Sequence, residues 1–413
     1  MSSTRARRFP PVLKASPFEG PNGRLWLLLA ASLVTAKFYA AHLVRIFFPV
    51  VLGPDALPLD TVAFHAAARA ALEALAAGGE RANLYDPPAF ADVIGGPTGL
   101  LWLYPPTALL PLAPLGLVSL PVAKAVLAAL NLAASFALFR RVAAGRADIA
   151  ALCLFSPALF GALFIGQVTP LFALLFVYGL LGARTRPIAA GLCLALLTMK
   201  PQYGLLAIPF LLGLGAYRAL AAAALGALGF IALSGVLFGF DQWTFFFASI
   251  TDGGHAMYYE TGGHTARATP SDALKALGVA PPPALVLYGP LLALAAAAVF
   301  WVARRAPLAL SFAFTAFAAA ATAPYFMYYD ALIVAAGSVA LWTLARPPGA
   351  ALWWALLAAW FAPFAPSMIG WPLIPAAVWL LHAGLAVALA VRAAQTPDDR
   401  AASPSANALA MRR

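Results

Sequence analysis

Long apolar stretches recur along almost the whole chain and constrain its fold more than any other feature. Hydrophobic residues make up 63% of the 413 residues and charged residues only 10%, whereas an average soluble domain is about 25% charged. In lipid every backbone polar group must be satisfied internally, so apolar stretches of this length form helices. The sequence therefore predicts an all-α polytopic membrane protein and excludes a soluble enzyme.

About twelve transmembrane helices are predicted. The predicted spans are residues 25–47, 121–139, 147–165, 168–183, 187–200, 202–217, 219–240, 284–303, 307–323, 328–345, 350–366 and 371–391. The first is too long for a signal peptide and further spans follow it, so we interpret it as a retained helix. The stretch 100–120 contains four prolines, and we predict that it is interfacial or re-entrant rather than a crossing.

Basic residues predict the orientation of the chain. With a cytoplasmic N-terminus, 18 of the 26 Lys and Arg residues fall inside and 11 of the 15 acidic residues fall outside, as the positive-inside rule requires. Lys and Arg residues held on the cytoplasmic side of the membrane thus explain the net charge of +11, and no nucleic-acid partner is expected. Cys153 and Cys193 lie in apolar stretches and predict neither a disulfide nor a metal site.

The chain is predicted to contain a single transmembrane domain, residues 25–392, with outer loops at 53–120 and 241–283. A basic segment (1–24) precedes this domain, and a polar tail (393–413), predicted to be disordered, follows it. Both termini are expected in the cytoplasm, and the protein is expected to be a monomer that contacts membrane lipids.

Polar residues gather at the predicted outer face. Asp60 opens the first outer loop, and "GQVTP" (166–170), "MKPQ" (199–202) and "APYFMYYD" (323–330) each link two spans. Residues 187–217 make two crossings of roughly 23 Å each, whereas the hydrocarbon core is roughly 30 Å thick. Lys200 and Gln202 are therefore expected to be recessed in a cavity that opens to the outer face.

Asp60 has two interpretations that do not exclude each other. An Asp after Pro-Leu favours a helix N-cap, and a carboxylate at the outer face suits a general base. Thr61, His65, Arg69 and Glu73 recur every four residues and are predicted to share one helical face. They form either the polar face of an interfacial helix or, for His65 and Arg69, contacts to a phosphate.

Lys200 is the leading candidate for contact with an anionic group such as a phosphate, because a nearby phosphate would offset the cost of burying its ammonium group. The alternative is a lysine that snorkels from a helix end. Asp330, with Tyr329 beside it, is predicted either to bind substrate hydroxyls or to form an ion pair near Lys200.

The remaining candidates are assigned to substrate binding or loop structure. The outer loop 241–283 suits substrate binding or a lid, and its short helix is predicted to have Ser271 as the N-cap and Gly278 as the stop. No Asp-x-Asp pair occurs near Asp60, so no obligatory metal is expected. Further candidate substrate contacts are Tyr104, Gln167, Gln202 and Trp243, and further candidate phosphate contacts are His255 and His264.

An ordered set of short motifs resembles glycosyltransferase family 87. In chain order they are Asp60 with Phe64, "NLYDP" (83–87), "YPP" (104–106), "GQ" (166–167), "KPQ" (200–202) and Pro324 to Asp330. Val168 is a departure, since "GQ" is usually followed by Asn in the family. The resemblance covers residues 25–392 and implies the GT-C fold and a bacterial plasma-membrane location.

The resemblance implies a polyprenyl-phosphate-sugar donor, with mannose as the foremost sugar, and a glycolipid or glycan acceptor at the extracytoplasmic face. It also implies inversion at the anomeric carbon, Asp60 as the base and no cofactor. With such a donor, the phosphate candidates are expected to contact its phosphate: Lys200, Arg69, His65, His255 and His264. The sugar or acceptor is expected to contact the others: Tyr104, Gln167, Gln202, Trp243, Tyr329 and Asp330. Two alternatives stay open. A secondary transporter or lipid flippase also has about twelve spans and central polar groups, and an oligosaccharide polymerase or ligase would use a pyrophosphate-linked glycan.

Overall fold

The computed structural model describes residues 60–395 apart from 79–80, 97–98, 252–266, 281, 283, 344–348, 363–364, 366–370 and 372. Some predictions lie outside the described residues: the span 25–47, the tail beyond residue 395, His255 and His264. Within them the regular secondary structure is helical, together with one isolated β-bridge between Arg267 and Met327. The predicted all-α class is confirmed.

The helices are numbered in chain order. The first ten are α1 (Asp60–Ala77), α2 (Pro87–Ile94), α3 (Pro106–Leu117), α4 (Leu120–Val142), α5 (Ala147–Cys153), α6 (Pro157–Ile165), α7 (Thr169–Gly182), α8 (Pro187–Met199), α9 (Pro201–Leu214) and α10 (Tyr217–Phe238). The others are α11 (Asp241–Thr251), α12 (Pro270–Ala276), α13 (Ala284–Arg305), α14 (Leu308–Thr322), α15 (Tyr328–Trp342), α16 (Ala350–Phe361) and α17 (Ile374–Gln395).

Four of the described helices, α4, α10, α13 and α17, are long and apolar enough to cross a membrane alone. Helices α5 and α6 meet that requirement only together, and they are bent by 56° at their junction. Helices α7, α8, α9, α14, α15 and α16 are apolar but have 10–17 residues each. The helices coincide with the predicted spans, whereas the number of crossings, about twelve, stays a prediction.

The short helices begin and end at prolines and glycines. Helices α6 to α9 each have a proline in the first two positions, where a missing N–H costs no helical hydrogen bond. Helices α6 and α9 end at Gly166 (φ +75°) and Gly215 (φ +69°), in the left-handed region that favours glycine. These interruptions place the "GQ" and "KPQ" motifs at helix ends inside the bundle.

Helices α14 and α15 form the centre of the described bundle. Every residue from Leu310 to Thr322 and from Leu332 to Leu341 is buried. Helix α10 lies at the periphery, since only 11% of its apolar stretch is buried within the protein. The described core is therefore built around the helix that follows Asp330.

Helix α12, in the predicted outer loop, corrects one prediction. Its N-cap is Thr269 rather than Ser271, because the Thr269 hydroxyl accepts from the backbone N–H of Asp272 at 3.3 Å, and Asp272 Oδ2 accepts from the backbone N–H of Thr269 at 3.3 Å. This reciprocal arrangement satisfies two backbone donors at once. The predicted stop at Gly278 (φ +74°) is confirmed, and its N–H donates to the carbonyl of Lys275 at 3.0 Å.

Glycine allows close packing between α8 and α10. A Cβ on Gly191 would lie 2.5 Å from the Ala219 carbonyl oxygen and 2.5 Å from the Ala222 Cβ. Small residues of this kind let backbones approach where lipid supplies little hydrophobic drive for helix association. By contrast, a Cβ on Gly229 of α10 would meet nothing within 4 Å.

We expect Gly191→Ala to lower the free energy of unfolding by roughly 1–3 kcal/mol, because the added methyl forces two backbones apart. Gly229→Ala is the matched control and should leave stability unchanged or raise it by up to about 1 kcal/mol. Thermal unfolding of the purified protein in detergent measures both. Equal melting temperatures for the two variants would contradict the close packing of α8 on α10.

Candidate active site

Gln167, the residue that follows the left-handed end of α6, lies at the centre of a cluster of polar side chains. Its side-chain N–H donates to Asp60 Oδ2 and lies 3.4 Å from the Tyr329 hydroxyl. Its side-chain oxygen accepts from the Tyr104 hydroxyl at 2.7 Å, and its backbone carbonyl accepts from Asn131 Nδ2 at 2.6 Å. One buried amide thus connects four separate parts of the chain.

The local backbone explains why Gln167 reaches Asp60. The Gln167 N–H donates to the Ala162 carbonyl at 2.8 Å and closes the end of α6. The Thr61 hydroxyl donates to the Gly166 carbonyl at 3.0 Å, which joins the start of α1 to this turn. A Cβ on Gly166 would lie 2.0 Å from Thr61 Oγ1. Both the positive φ and this contact therefore require glycine.

Asp60 lies in the first turn of α1 and is partly buried. Burial raises the pKa of its carboxyl to about 6, while the hydrogen bond from Gln167 and the positive charge of Lys200 act in the opposite direction. A carboxylate of this kind is mostly ionised at neutral pH and is a better proton acceptor than an ordinary aspartate. Its properties suit a general base.

Asp330, at the start of α15, is fully buried and paired with the buried ammonium group of Lys200. The same carboxylate oxygen lies 3.0 Å from the Tyr203 hydroxyl and accepts from the Thr169 hydroxyl at 3.2 Å. Its other oxygen accepts from the backbone N–H of Met327 at 2.9 Å. With these partners Asp330 has little capacity left for a substrate hydroxyl, so the observed geometry matches the ion-pair interpretation.

Aromatic rings surround the Lys200 ammonium group. Its nitrogen lies 5.3 Å from the ring centroids of Tyr203 and Tyr329, 5.9 Å from that of Tyr325 and 6.0 Å from that of Phe172. Cations within about 6 Å of such rings are attracted by the ring quadrupole. The side chain, 4% exposed, is therefore held in one position between Asp330 and the rings.

The structure brings together six of the predicted site residues: Asp60, Tyr104, Gln167, Lys200, Tyr329 and Asp330. Three further members, Asn131, Thr169 and Tyr203, were not predicted. Each lies within or at the start of an apolar helix. The only signal in the sequence is a polar side chain in a stretch that is otherwise apolar, which is costly in lipid unless it has a partner.

The other described candidates contact different parts of the protein. His65 Nε2 lies 2.8 Å from the Val118 carbonyl, and Arg69 forms an exposed ion pair with Glu73 at 3.2 Å. Trp243 donates to the Ser234 hydroxyl at 3.1 Å. Their roles as phosphate or acceptor contacts, and that of the half-buried Gln202, stay predictions.

The predicted polar face of α1 is only partly exposed. Thr61 is 1% exposed, whereas the side chains of Arg69 and Glu73 are 59% and 68% exposed. On this face of α1 the first turn thus points to the interior, and the turns of Arg69 and Glu73 point to solvent. This difference is why Asp60 and Thr61 contact the turn at Gly166 and Gln167 whereas Arg69 does not.

The sequence model of glycosyltransferase family 87 matches residues 102–327, more than half of the chain. The chain belongs to glycosyltransferase family 87. It is therefore a membrane enzyme that transfers sugars. The match contains Tyr104, Gln167, Lys200 and Gln202 but ends before Asp330 and does not reach Asp60. No curated protein and no solved structure matches the chain.

In this family 87 glycosyltransferase we expect Lys200→Met to lower the free energy of unfolding by roughly 3–5 kcal/mol, because it leaves the buried Asp330 carboxylate without its counter-ion. Adding Asp330→Asn should restore most of that stability, since the double variant buries no unpaired charge. Unfolding of both variants in detergent measures the effect.

The double variant also separates the two roles of Lys200. If the double variant regains stability but still transfers no sugar, Lys200 has a direct part in the reaction. If the double variant regains both stability and sugar transfer, the role of Lys200 is structural. A Lys200→Met protein as stable as the wild type would contradict the buried ion pair.

Proposed function

We propose that this glycosyltransferase transfers a hexose, with mannose foremost, from a polyprenyl-phosphate sugar to a hydroxyl of a glycolipid or glycan acceptor. The reaction takes place at the extracytoplasmic face of the bacterial plasma membrane, in the cavity of a GT-C fold, with neither cofactor nor metal, in a monomer. The observation that carries the proposal is the pairing of the Asp60 carboxylate with the buried amide of Gln167, close enough to Lys200 for its charge to act on Asp60.

In the proposed reaction Asp60 accepts the proton of the acceptor hydroxyl as its oxygen attacks the anomeric carbon. A new carbon–oxygen bond forms while the bond from that carbon to the phosphate oxygen breaks, and the configuration inverts. The leaving group departs as a polyprenyl phosphate anion, so no second carboxylic acid is needed to protonate it. Asp60 then releases its proton to solvent.

Gln167 has a positioning role in this scheme. Its N–H favours the ionised form of Asp60, and its oxygen is fixed by the Tyr104 hydroxyl. A side chain fixed at both ends costs little reorganisation when charge moves in the transition state. Tyr104 and Tyr329 are proposed to lie beside the sugar, because both hydroxyls adjoin the same amide.

Lys200 is proposed to stabilise the departing phosphate. An ammonium group has three donors, and Asp330 is its hydrogen-bond partner in the described structure. The donors that remain are available to a phosphate oxygen that enters next to the aromatic rings. This role rests on the charge of Lys200, whereas the ion pair with Asp330 fixes its position.

Family membership favours sugar transfer over the transporter or flippase alternative. An oligosaccharide polymerase or ligase differs in its donor, which would carry a pyrophosphate-linked glycan. A transfer assay with each purified donor separates them: turnover of polyprenyl-phosphate-mannose supports the proposal, and turnover of the pyrophosphate-linked glycan alone would contradict it.

We expect Asp60→Asn to lower kcat for sugar transfer by roughly 10²–10⁴-fold, the usual contribution of a general base. Donor binding should change little, because the amide preserves the shape of the carboxylate. Single-turnover transfer from synthetic polyprenyl-phosphate-mannose and equilibrium donor binding are the two measurements. Asp92→Asn removes an exposed carboxylate of α2 and serves as the matched control, with wild-type turnover expected. An Asp60→Asn enzyme that retained wild-type kcat would remove the base assignment.

The pH profile tests the link between Asp60 and Gln167. Because the base must be ionised, kcat of the wild type should rise with pH and reach half of its plateau near pH 6, the pKa of Asp60. Gln167→Leu removes a hydrogen bond that favours the ionised form, so the pKa of Asp60 should rise and the half-maximum should move to higher pH.

The plateau above pH 8 is the internal control, since Asp60 is ionised there in both enzymes. We expect the ratio of wild-type to variant kcat to be larger at pH 6 than on this plateau. If the midpoint of the pH profile of Gln167→Leu equals that of the wild type, the Gln167 amide does not affect the pKa of Asp60.

A further inference from the structure

An open cavity lies where α1, α3 and the junction of α10 and α11 meet, and its enclosed part measures about 20 Å³. Two polar side chains, Arg81 and Gln242, contribute to its lining. Its apolar walls are formed by Ala70, Ala71, Ala74, Leu84, Leu109 and Phe238. Ala70 and Ala74 follow Asp60 by ten and fourteen residues on α1, or roughly 15–21 Å along the helix axis. The cavity is therefore separate from the Gln167 cluster.

Gln242 places an unsatisfied acceptor in this cavity. Its side chain is 2% exposed, and its N–H donates to the Ala82 carbonyl at 2.9 Å. Its side-chain oxygen is buried and has no hydrogen-bond partner in the described part of the chain. Buried amide oxygens are nearly always paired, so this atom favours a ligand that carries a hydrogen-bond donor.

Arg81 places a cation beside that acceptor. The residue is half-buried, and none of the ion pairs or hydrogen bonds found among the described residues involves its guanidinium. Its Nη1 and Cδ each lie 3.0 Å from the position of a Cβ on Gly239, against the junction of α10 and α11. Asp241 adjoins the same glycine but is exposed. The five donors of the guanidinium suit a phosphate.

The cavity lies at the end of a helix that faces lipid. Phe238 is the last residue of α10, and only 11% of the apolar stretch of α10 is buried within the protein. Two residues before and after Phe238 in the chain, Val236 and Phe240 are apolar and exposed, at 68% and 60%. Helix α10 is long and apolar enough to cross a membrane, and such a helix ends at the level of the lipid headgroups. The ligand to consider for this cavity is therefore a lipid headgroup.

We propose that this cavity binds the headgroup of an anionic phospholipid whose phosphodiester carries a hydroxyl group. The phosphate accepts from Arg81, the hydroxyl donates to the side-chain oxygen of Gln242, and the acyl chains lie along Val236 and Phe240. The cleft is open, so the phosphate lies at its mouth, and only the hydroxyl group, about the size of one water, enters the enclosed part of about 20 Å³. The proposal does not rest on the proposed reaction.

Native mass spectrometry of the full chain in detergent tests the proposal, by titration with lipids of identical acyl chains. Phosphatidylglycerol carries both the charge and the hydroxyl, phosphatidylmethanol carries the charge alone, and phosphatidylcholine carries neither. We expect the affinities to fall in that order. Arg81→Gln should weaken phosphatidylglycerol binding by about tenfold, the value of one charge-assisted hydrogen bond. Arg146→Gln, which removes an exposed arginine paired with Asp148, is the matched control and should bind as the wild type does.

The lipid series on the wild-type protein stands even if Arg81→Gln does not fold. Equal affinity for phosphatidylglycerol and phosphatidylcholine would overturn the proposal, and so would equal loss of binding in Arg81→Gln and Arg146→Gln. Undecaprenyl phosphate, which has a phosphate but no additional hydroxyl, is the remaining probe. The assigned ligand would be wrong if undecaprenyl phosphate displaced phosphatidylglycerol from the wild type, bound more tightly than phosphatidylglycerol, and lost this affinity in Arg81→Gln.

Discussion

The side-chain amide of Gln167 is the interaction on which the rest of the site depends. An amide is both a donor and an acceptor, so it bonds the Asp60 carboxylate on one side and the Tyr104 hydroxyl on the other. A carboxylate there would repel Asp60, and an apolar side chain would leave buried partners unpaired. Since these partners belong to different helices and connecting segments, one amide fixes their relative positions.

Different roles are proposed for two carboxylates because their surroundings differ. Asp330 is bonded by Lys200, Tyr203, Thr169 and a backbone N–H, which suits a part in fixing the break between α8 and α9. Asp60 has one strong partner and a raised pKa, which suits the proton transfer proposed for it. The proposed separation of a structural from a reactive carboxylate rests on their environments.

The sequence predicted most of this site because its residues lie at interruptions of apolar stretches. Gln167 follows the glycine that ends α6, and Lys200 precedes the proline that begins α9. Asp330 lies six residues after Pro324, which follows the end of α14. Such interruptions are visible without a structure. Asn131 and Tyr203 could not be predicted in the same way, since a polar side chain on an apolar helix does not show which neighbour it faces. The Ser271 cap was wrong for a related reason: the reciprocal bonds of Thr269 and Asp272 depend on backbone geometry that spacing does not show.

A double-mutant cycle between Asp60→Asn and Gln167→Leu, measured as kcat/KM for sugar transfer at neutral pH, tests the central claim most directly. If Gln167 acts through the Asp60 carboxylate, the two losses are strongly coupled, and the double variant is scarcely slower than Asp60→Asn alone. If the two losses multiply, the amide and the carboxylate act independently, and the account of this site is wrong.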